Sequence, residues 1–154
     1  MSNDTYLAAL KMLAARELSE AQVRQRLARR GHDRDDIDHT ITRLKADGNL
    51  DDARAAAVIA RRETTVRRRG KARVSSRIRA AGIAPAVADL AVQHAFQDVD
   101  ADTLLASALD KRLRGRAAIA DDREFKRLYR YLVGQGFEPD RVLARLRALR
   151  TPRT

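Results

Sequence analysis

Between Arg61 and Arg79 nine basic side chains stand against one carboxylate, Glu63. Eight of the nine are arginine, and a guanidinium presents a rigid fork that fits phosphate and carboxylate oxygens alike. Arg54, Arg61 and Arg68 fall at steps of seven, with Arg62 and Arg69 in a parallel row. On one helix from Asp52 to about Arg69, the two rows would cover about a third of the circumference. Arg73 and Arg77 lie one turn apart beside an apolar Val74–Ile78 stripe, with Lys71 and Arg79 nearby. A merely solvated helix face intersperses its acids, and here they are nearly missing. Arg54, Arg61, Arg62, Arg67, Arg68, Arg69, Lys71, Arg73 and Arg77 are therefore the expected contact surface for a polyanion or an acidic protein. The arginines alone do not decide between those two partners.

Other chemistry finds little support. His32 and His39 are seven residues apart and His94 is remote, whereas zinc sites pair histidines three to five apart with further ligands. His32 stands where Ile83 and Phe137 stand in equivalent stretches, so it reads as a replaced apolar residue. The carboxylate pairs Asp35–Asp36, Asp51–Asp52 and Asp121–Asp122 all fall at expected helix starts, where the dipole favours them. No phosphate-binding Gly-x-x-x-x-Gly-Lys-Ser/Thr loop occurs and there is no cysteine. The expectation is a protein without catalytic residues, cofactor or metal.

The elements that must carry the arginines follow an internal repeat. Gly31, Gly82 and Gly136 are 51 and 54 residues apart, each between two amphipathic runs. Four residues before each stands Leu27, Ile78 or Leu132, and eight before stands Val23, Val74 or Leu128. Six residues after come Ile37, Ala88 and Val142, and ten after come Ile41, Val92 and Leu146. A period near fifty residues marks a tandem array of one supersecondary unit. The spacing is helical throughout. Tyr6, Leu10, Leu13 and Ala14 begin the first helix, and Ser19 with Gln22 forms a capping-box pattern before the second. Ala53, Ala56, Ala57 and Ala60 predict a small-residue face, and Pro85 and Pro139 suit first helical turns. Val87, Leu90, Ala91 and Val92 follow Pro85, and Phe125, Leu128, Tyr129, Leu132 and Val133 make the clearest stripe. Gly115–Ala120 reads as a looser connection and Thr151–Thr154 as a frayed tail. The predicted architecture is all-α, nine helices in three tandem three-helix repeats stacked lengthwise: residues 1–50, 51–98 and 99–154.

Composition agrees. The 154 residues carry a formal charge of +11, and only 4% are aromatic. Residues 1–48 contribute +1, residues 49–98 contribute +5 and residues 99–154 another +5. Such a charge suits a polyanionic or acidic partner, while scarce aromatics argue against a base-stacking platform. No run has the eighteen or so apolar residues of a membrane span, and Met1–Asp4 leads into a helix without a signal-peptide pattern. A cytoplasmic monomer with no membrane partner is expected.

At this point the residues resemble a known family. Arg16-Glu-Leu-Ser19 with Val23, Leu27 and Gly31 is followed by Gly48-Asn-Leu50-Asp-Asp52-Ala-Arg54-Ala-Ala56, then Gly70, Val74, Ile78 and Gly82-Ile83. This series resembles RecX, the bacterial regulatory family of the RecA recombinase, from about Leu7 to Leu149. Its most specific piece is Leu-Asp-Asp-x-Arg-x-Ala at the first repeat junction. The family usually has Phe where this chain has Ala55, an apolar residue at His32 and a proline at Lys71. The first two changes predict a thinner core at that junction. The resemblance implies three three-helix repeats in an elongated, curved array. It further implies a non-enzymatic regulator, usually an inhibitor, that lies in the groove of the RecA–ssDNA filament. There it would modulate strand exchange, ATP hydrolysis and coprotease activity, and so recombination, DNA repair and the SOS response. The alternative reading of the basic stripe is a general nucleic-acid-coating protein that acts without RecA.

Overall fold

A computed structural model of the chain describes residues 3–150. Among the described residues there are nine α-helices: α1 (Asn3–Ala15), α2 (Glu20–Arg29), α3 (Arg34–Ala46), α4 (Asp52–Thr65), α5 (Lys71–Ala80), α6 (Pro85–Ala95), α7 (Ala101–Leu113), α8 (Asp122–Gly134) and α9 (Pro139–Ala148). No strand forms among these residues. The loose Gly115–Ala120 connection holds an isolated parallel bridge, Ile119 to Arg150. Thr151–Thr154, expected as a tail, lies outside the described residues.

The helix ends follow local chemistry. Ser19 and Gln22 make the reciprocal capping box that opens α2. Asp121 accepts the Glu124 N–H at 2.8 Å to open α8, and Pro139 occupies the first turn of α9. At the end of α8 the Gly136 N–H donates to the Val133 carbonyl at 3.0 Å, and Phe137 N–H to Leu132 at 3.3 Å. That is the Schellman arrangement, with Gly136 at φ +96°.

The chain divides into two compact units. The first comprises residues up to Ile59 together with Arg77–Ala91. Helices α1, α2 and α3 pack on one another there, around Ala9, Met12, Leu18, Val23, Leu27, Ile37, Ile41, Leu44 and Leu50. The second comprises Ala60–Ser76 and residues from Val92 onward. Helices α7, α8 and α9 form its body, and Leu109, Leu113, Leu132, Val142 and Leu146 are buried. Helices α4, α5 and α6 each contribute residues to both units.

One joint occurs in each unit. In the first, the Ser19 hydroxyl at the start of α2 donates to the Ala81 carbonyl. A Cβ added at Gly82 would lie 2.4 Å from the Ala21 Cβ. In the second unit the Gly70 N–H at the start of α5 donates to the Gln135 carbonyl at 2.9 Å, and Ala72 N–H to Gly136 at 3.3 Å. A Cβ on Gly70 would fall 2.4 Å from the Gly136 backbone, and one on Gly136 would fall 2.3 Å from the Arg73 nitrogen. The donors Ser19 and Gly70 are 51 residues apart, matching the repeat.

Several sequence expectations need correction. Helix α4 stops at Thr65, so Arg67, Arg68 and Arg69 are not on the predicted helix face. The β-branched run Thr64-Thr65-Val66 is a weak helix former, and both threonine hydroxyls donate back to carbonyls of the preceding turn. The small-residue face of α4 is Ala55, Ala56 and Ala60, while Ala53 and Ala57 face solvent. Leu90 is exposed, and Ala88 with Ala91 forms the buried side of α6. His32 is half-buried with its Nδ1 2.9 Å from the Thr5 hydroxyl, so a polar pair stands where Ile83 and Phe137 are buried apolar groups.

The two kinds of helix-stop glycine should differ in sensitivity. Gly31 has φ +83° and open space around its missing Cβ, so Gly31→Ala should cost only the left-handed backbone penalty, about 1–2 kcal/mol. Gly136→Ala adds a backbone collision and should cost roughly 3 kcal/mol or more. Urea denaturation of the two variants checks this, and equal losses would refute the close approach.

Candidate partner-binding surface

The expected basic residues sort by unit and by partner. In the first unit Arg54 is a clamp. Its guanidinium donates to Glu17 Oε1 at 2.8 Å and to the carbonyls of Gly48 and Asn49 at 2.9 and 3.1 Å. Those three bonds tie the start of α4 to the α1–α2 turn and the end of α3. Arg77, on α5, is exposed.

In the second unit Arg61, Arg62, Arg67, Lys71 and Arg73 are exposed. None of the five forms an ion pair among the described residues. Arg68 is half-buried at φ +50°, in the left-handed region where a side chain is unusual. Arg69 turns inward. Its guanidinium lies 2.8 Å from Glu63 Oε2, and the two side chains are only 14% and 4% exposed. The Arg69 N–H also donates to the Glu63 carbonyl at 3.0 Å. Glu63, the lone acid of the basic stretch, is therefore internal, and it anchors the loop on which Arg67 and Arg68 are displayed. The Lys71 ammonium lies 5.7 Å from the Phe96 ring centre.

A second cationic concentration was not singled out by the sequence reading. Lys111, Arg112, Arg114, Arg116 and Arg127 line an open bowl formed by the end of α7, the connection after it and α8, together with Glu124, Leu128 and Tyr131. Its sequence signals were the +5 charge of the last third and the Arg114-Gly115-Arg116 run just past a helix end. Inside it Glu124 is buried and accepts from Arg116 and from the Ala120 N–H, the latter at 2.8 Å. The hydrogen-bonded Arg116 guanidinium, helped by that amide, holds the Glu124 carboxyl down from 4.5 to about 2. Among the described residues no group of three or more histidines, cysteines or carboxylates could hold a metal ion. No helix among them is long and apolar enough to cross a membrane.

These features define a class: a tandem helical-repeat protein whose surface concentrates exposed arginine. Residues 6–44 match the family model described as RecX, first three-helix domain. The regulatory protein RecX of Halorhodospira halophila is 36% identical over 138 residues, covering 89% of this chain and 83% of that protein. RecX of Leptothrix cholodnii is 34% identical over 145 residues, covering 90% and 85%. The crystal structure of RecX from Lactobacillus salivarius superimposes with a TM-score of 0.78 over 94% of this chain and 96% of that one, at 18% identity. The chain belongs to the RecX family of regulatory proteins.

Two predictions follow the two internal carboxylates. Glu63→Ala leaves the Arg69 guanidinium without its carboxylate and should cost about 3 kcal/mol, with Glu63→Gln milder. A loss below about 1 kcal/mol in urea denaturation would mean that the pair is no anchor. Because the Glu124 carboxyl titrates lower in the folded state, its contribution is complete above about pH 4.5 and fades as pH falls toward 2. The stability difference between the native chain and Glu124→Gln should therefore shrink across that window. A constant difference from pH 6 to pH 2.5 would contradict the ion pair.

Proposed function

We propose that this protein is a non-catalytic regulator of the RecA recombinase, acting as an inhibitor by binding the RecA–ssDNA filament groove. In that groove it modulates strand exchange, ATP hydrolysis and coprotease activity. Relatives of about one-third identity across most of the chain carry the name regulatory protein RecX, and a RecA partner follows from that kinship. The observation that carries the contact assignment is the set Arg61, Arg62, Arg67, Lys71 and Arg73, exposed and without carboxylate partners while Arg54 and Arg69 are engaged within the chain. Five cations without carboxylate partners on one short stretch suit the acidic surface of a filament and the phosphates of its DNA. The three repeats, residues 1–50, 51–98 and 99–154, are proposed as the units that contact successive filament subunits. The protein works as a monomer in the cytoplasm, with no cofactor.

ATP hydrolysis by the cognate RecA on single-stranded DNA, titrated with this protein at moderate salt, tests the reading. Inhibition is expected well below one copy per RecA. Combined Arg61→Ala, Arg62→Ala, Arg67→Ala and Arg73→Ala replacement should raise the half-inhibitory concentration at least about tenfold, the loss of one charge-assisted hydrogen bond, with an unchanged helical circular-dichroism signal. Inhibition that appears only when the protein saturates the DNA would favour a nucleic-acid-coating protein instead. An unchanged half-inhibitory concentration would remove these arginines from the contact.

A further inference from the structure

A small apolar notch opens in the second unit, beside the joint between α5 and the α8–α9 turn. Phe96, Ala101, Leu105 and Phe137 line it, and Gly70 and Gly136 form the adjoining wall. Those two glycines are pressed backbone to backbone and tied by hydrogen bonds, so the wall is fixed and the notch preformed. Phe96, Leu105 and Phe137 are buried, and the small Ala101 at the start of α7 leaves the space between them open. The notch holds about 40 Å³. That is several times the room a water needs and far below the roughly 300 Å³ at which drug-sized ligand sites begin. It suits one branched aliphatic side chain.

The charge at its mouth is uneven. Glu138 and Arg141 also line the opening, but they pair with each other at 3.4 Å, and Arg141 holds Asp102 at 3.0 Å. Lys71 is the lining cation without an ion pair among the described residues, and its ammonium lies 5.7 Å from the Phe96 ring centre. Arg73, two residues on, is exposed. Helix-end chemistry does not account for these cations. The first turn of α5 has no acid, whereas α2, α7, α8 and α9 each carry one there, and a cation at a helix start opposes the dipole. One uncompensated cation beside a one-residue apolar notch fits an anion and an apolar side chain carried on the same residue. The last residue of a chain has that form, because its side chain and its α-carboxylate share one Cα. A mid-chain segment would instead bring backbone N–H and C=O groups without partners to an apolar opening.

We propose that the notch docks the C-terminus of an acidic partner peptide. The final aliphatic side chain sits among Phe96, Leu105 and Phe137, its α-carboxylate meets Lys71, and the acids before it face Arg73. This docking needs neither DNA nor a filament and does not rest on the filament-contact reading.

The test is fluorescence anisotropy of the full chain with a short labelled peptide of aspartates ending in leucine, its carboxylate free. The same peptide amidated, and one ending in glycine, are the comparisons. Amidation should weaken binding about tenfold, the loss of one charge-assisted hydrogen bond. Lys71→Met should cost a similar factor, and amidation should then have no further effect, since both changes remove one contact. Ala101→Leu fills the notch from within and should abolish the preference for leucine over glycine, with an unchanged helical circular-dichroism signal. If that variant does not fold, the peptide pairs and Lys71→Met still decide. Equal affinity for acid and amide, or for the leucine- and glycine-ended peptides, would overturn the proposal. So would an amidation effect that survives in Lys71→Met. Binding of free isocaproate as tight as that of the peptide would also overturn it and make the notch a small-acid site.

Discussion

Backbone pressed on backbone at the repeat joints is the constraint on which the rest of the arrangement depends. At Gly70 and Gly136 there is no room for a Cβ on either chain segment, and at Gly82 the room is filled by Ala21. Two hydrogen bonds, Gly70 to Gln135 and Ala72 to Gly136, can form only at that approach. A thin, alanine-rich core cannot supply much burial per helix, since an alanine side chain removes little apolar area from water. Direct backbone pairing replaces part of what larger side chains would contribute. The cost is local, because Gly70 opens α5 without the side-chain cap that Ser19 gives α2. Its donor is satisfied across the joint instead.

The same economy governs the charges. A chain with 32 basic residues cannot leave them all at the surface doing one thing. Arg54 satisfies carbonyls at a helix junction, Arg69 neutralises the buried Glu63, and Arg116 neutralises the buried Glu124. Arg43 and Arg112 lie over the rings of Tyr6 and Tyr131. Guanidinium suits each of these sites because it carries several donors in one plane and gives up water more readily than an ammonium. What remains outside, Arg61, Arg62, Arg67, Lys71 and Arg73 on one stretch and the α7–α8 bowl on another, is a surface sorted by subtraction. Glu63 shows how misleading a charge tally can be. The one carboxylate among nine cations between Arg61 and Arg79, it holds the basic loop in place from inside.

The nine helices among the described residues and most of their ends could be read from the residues alone. Apolar spacing and capping are local, and glycine past a helix end requires only its own φ. The capping box at Ser19–Gln22 and the start of α6 at Pro85 are of this kind. So was the family, whose motif around Leu50–Ala56 is contiguous. Tertiary structure decided three things. It turned Arg69 inward onto Glu63 beyond the end of α4, where the helical spacing would have put it on an exposed row. It chose which arginines are engaged within the chain, since a partner such as Glu17 for Arg54 is 37 residues away and no spacing rule reaches it. And it gathered Arg112, Arg114 and Arg127 into one bowl, because a helix end and the face of the next helix meet only when the chain folds back. Periodicity is written along the chain, whereas the direction of a long, flexible cation is settled by whichever oxygen the fold brings within its reach.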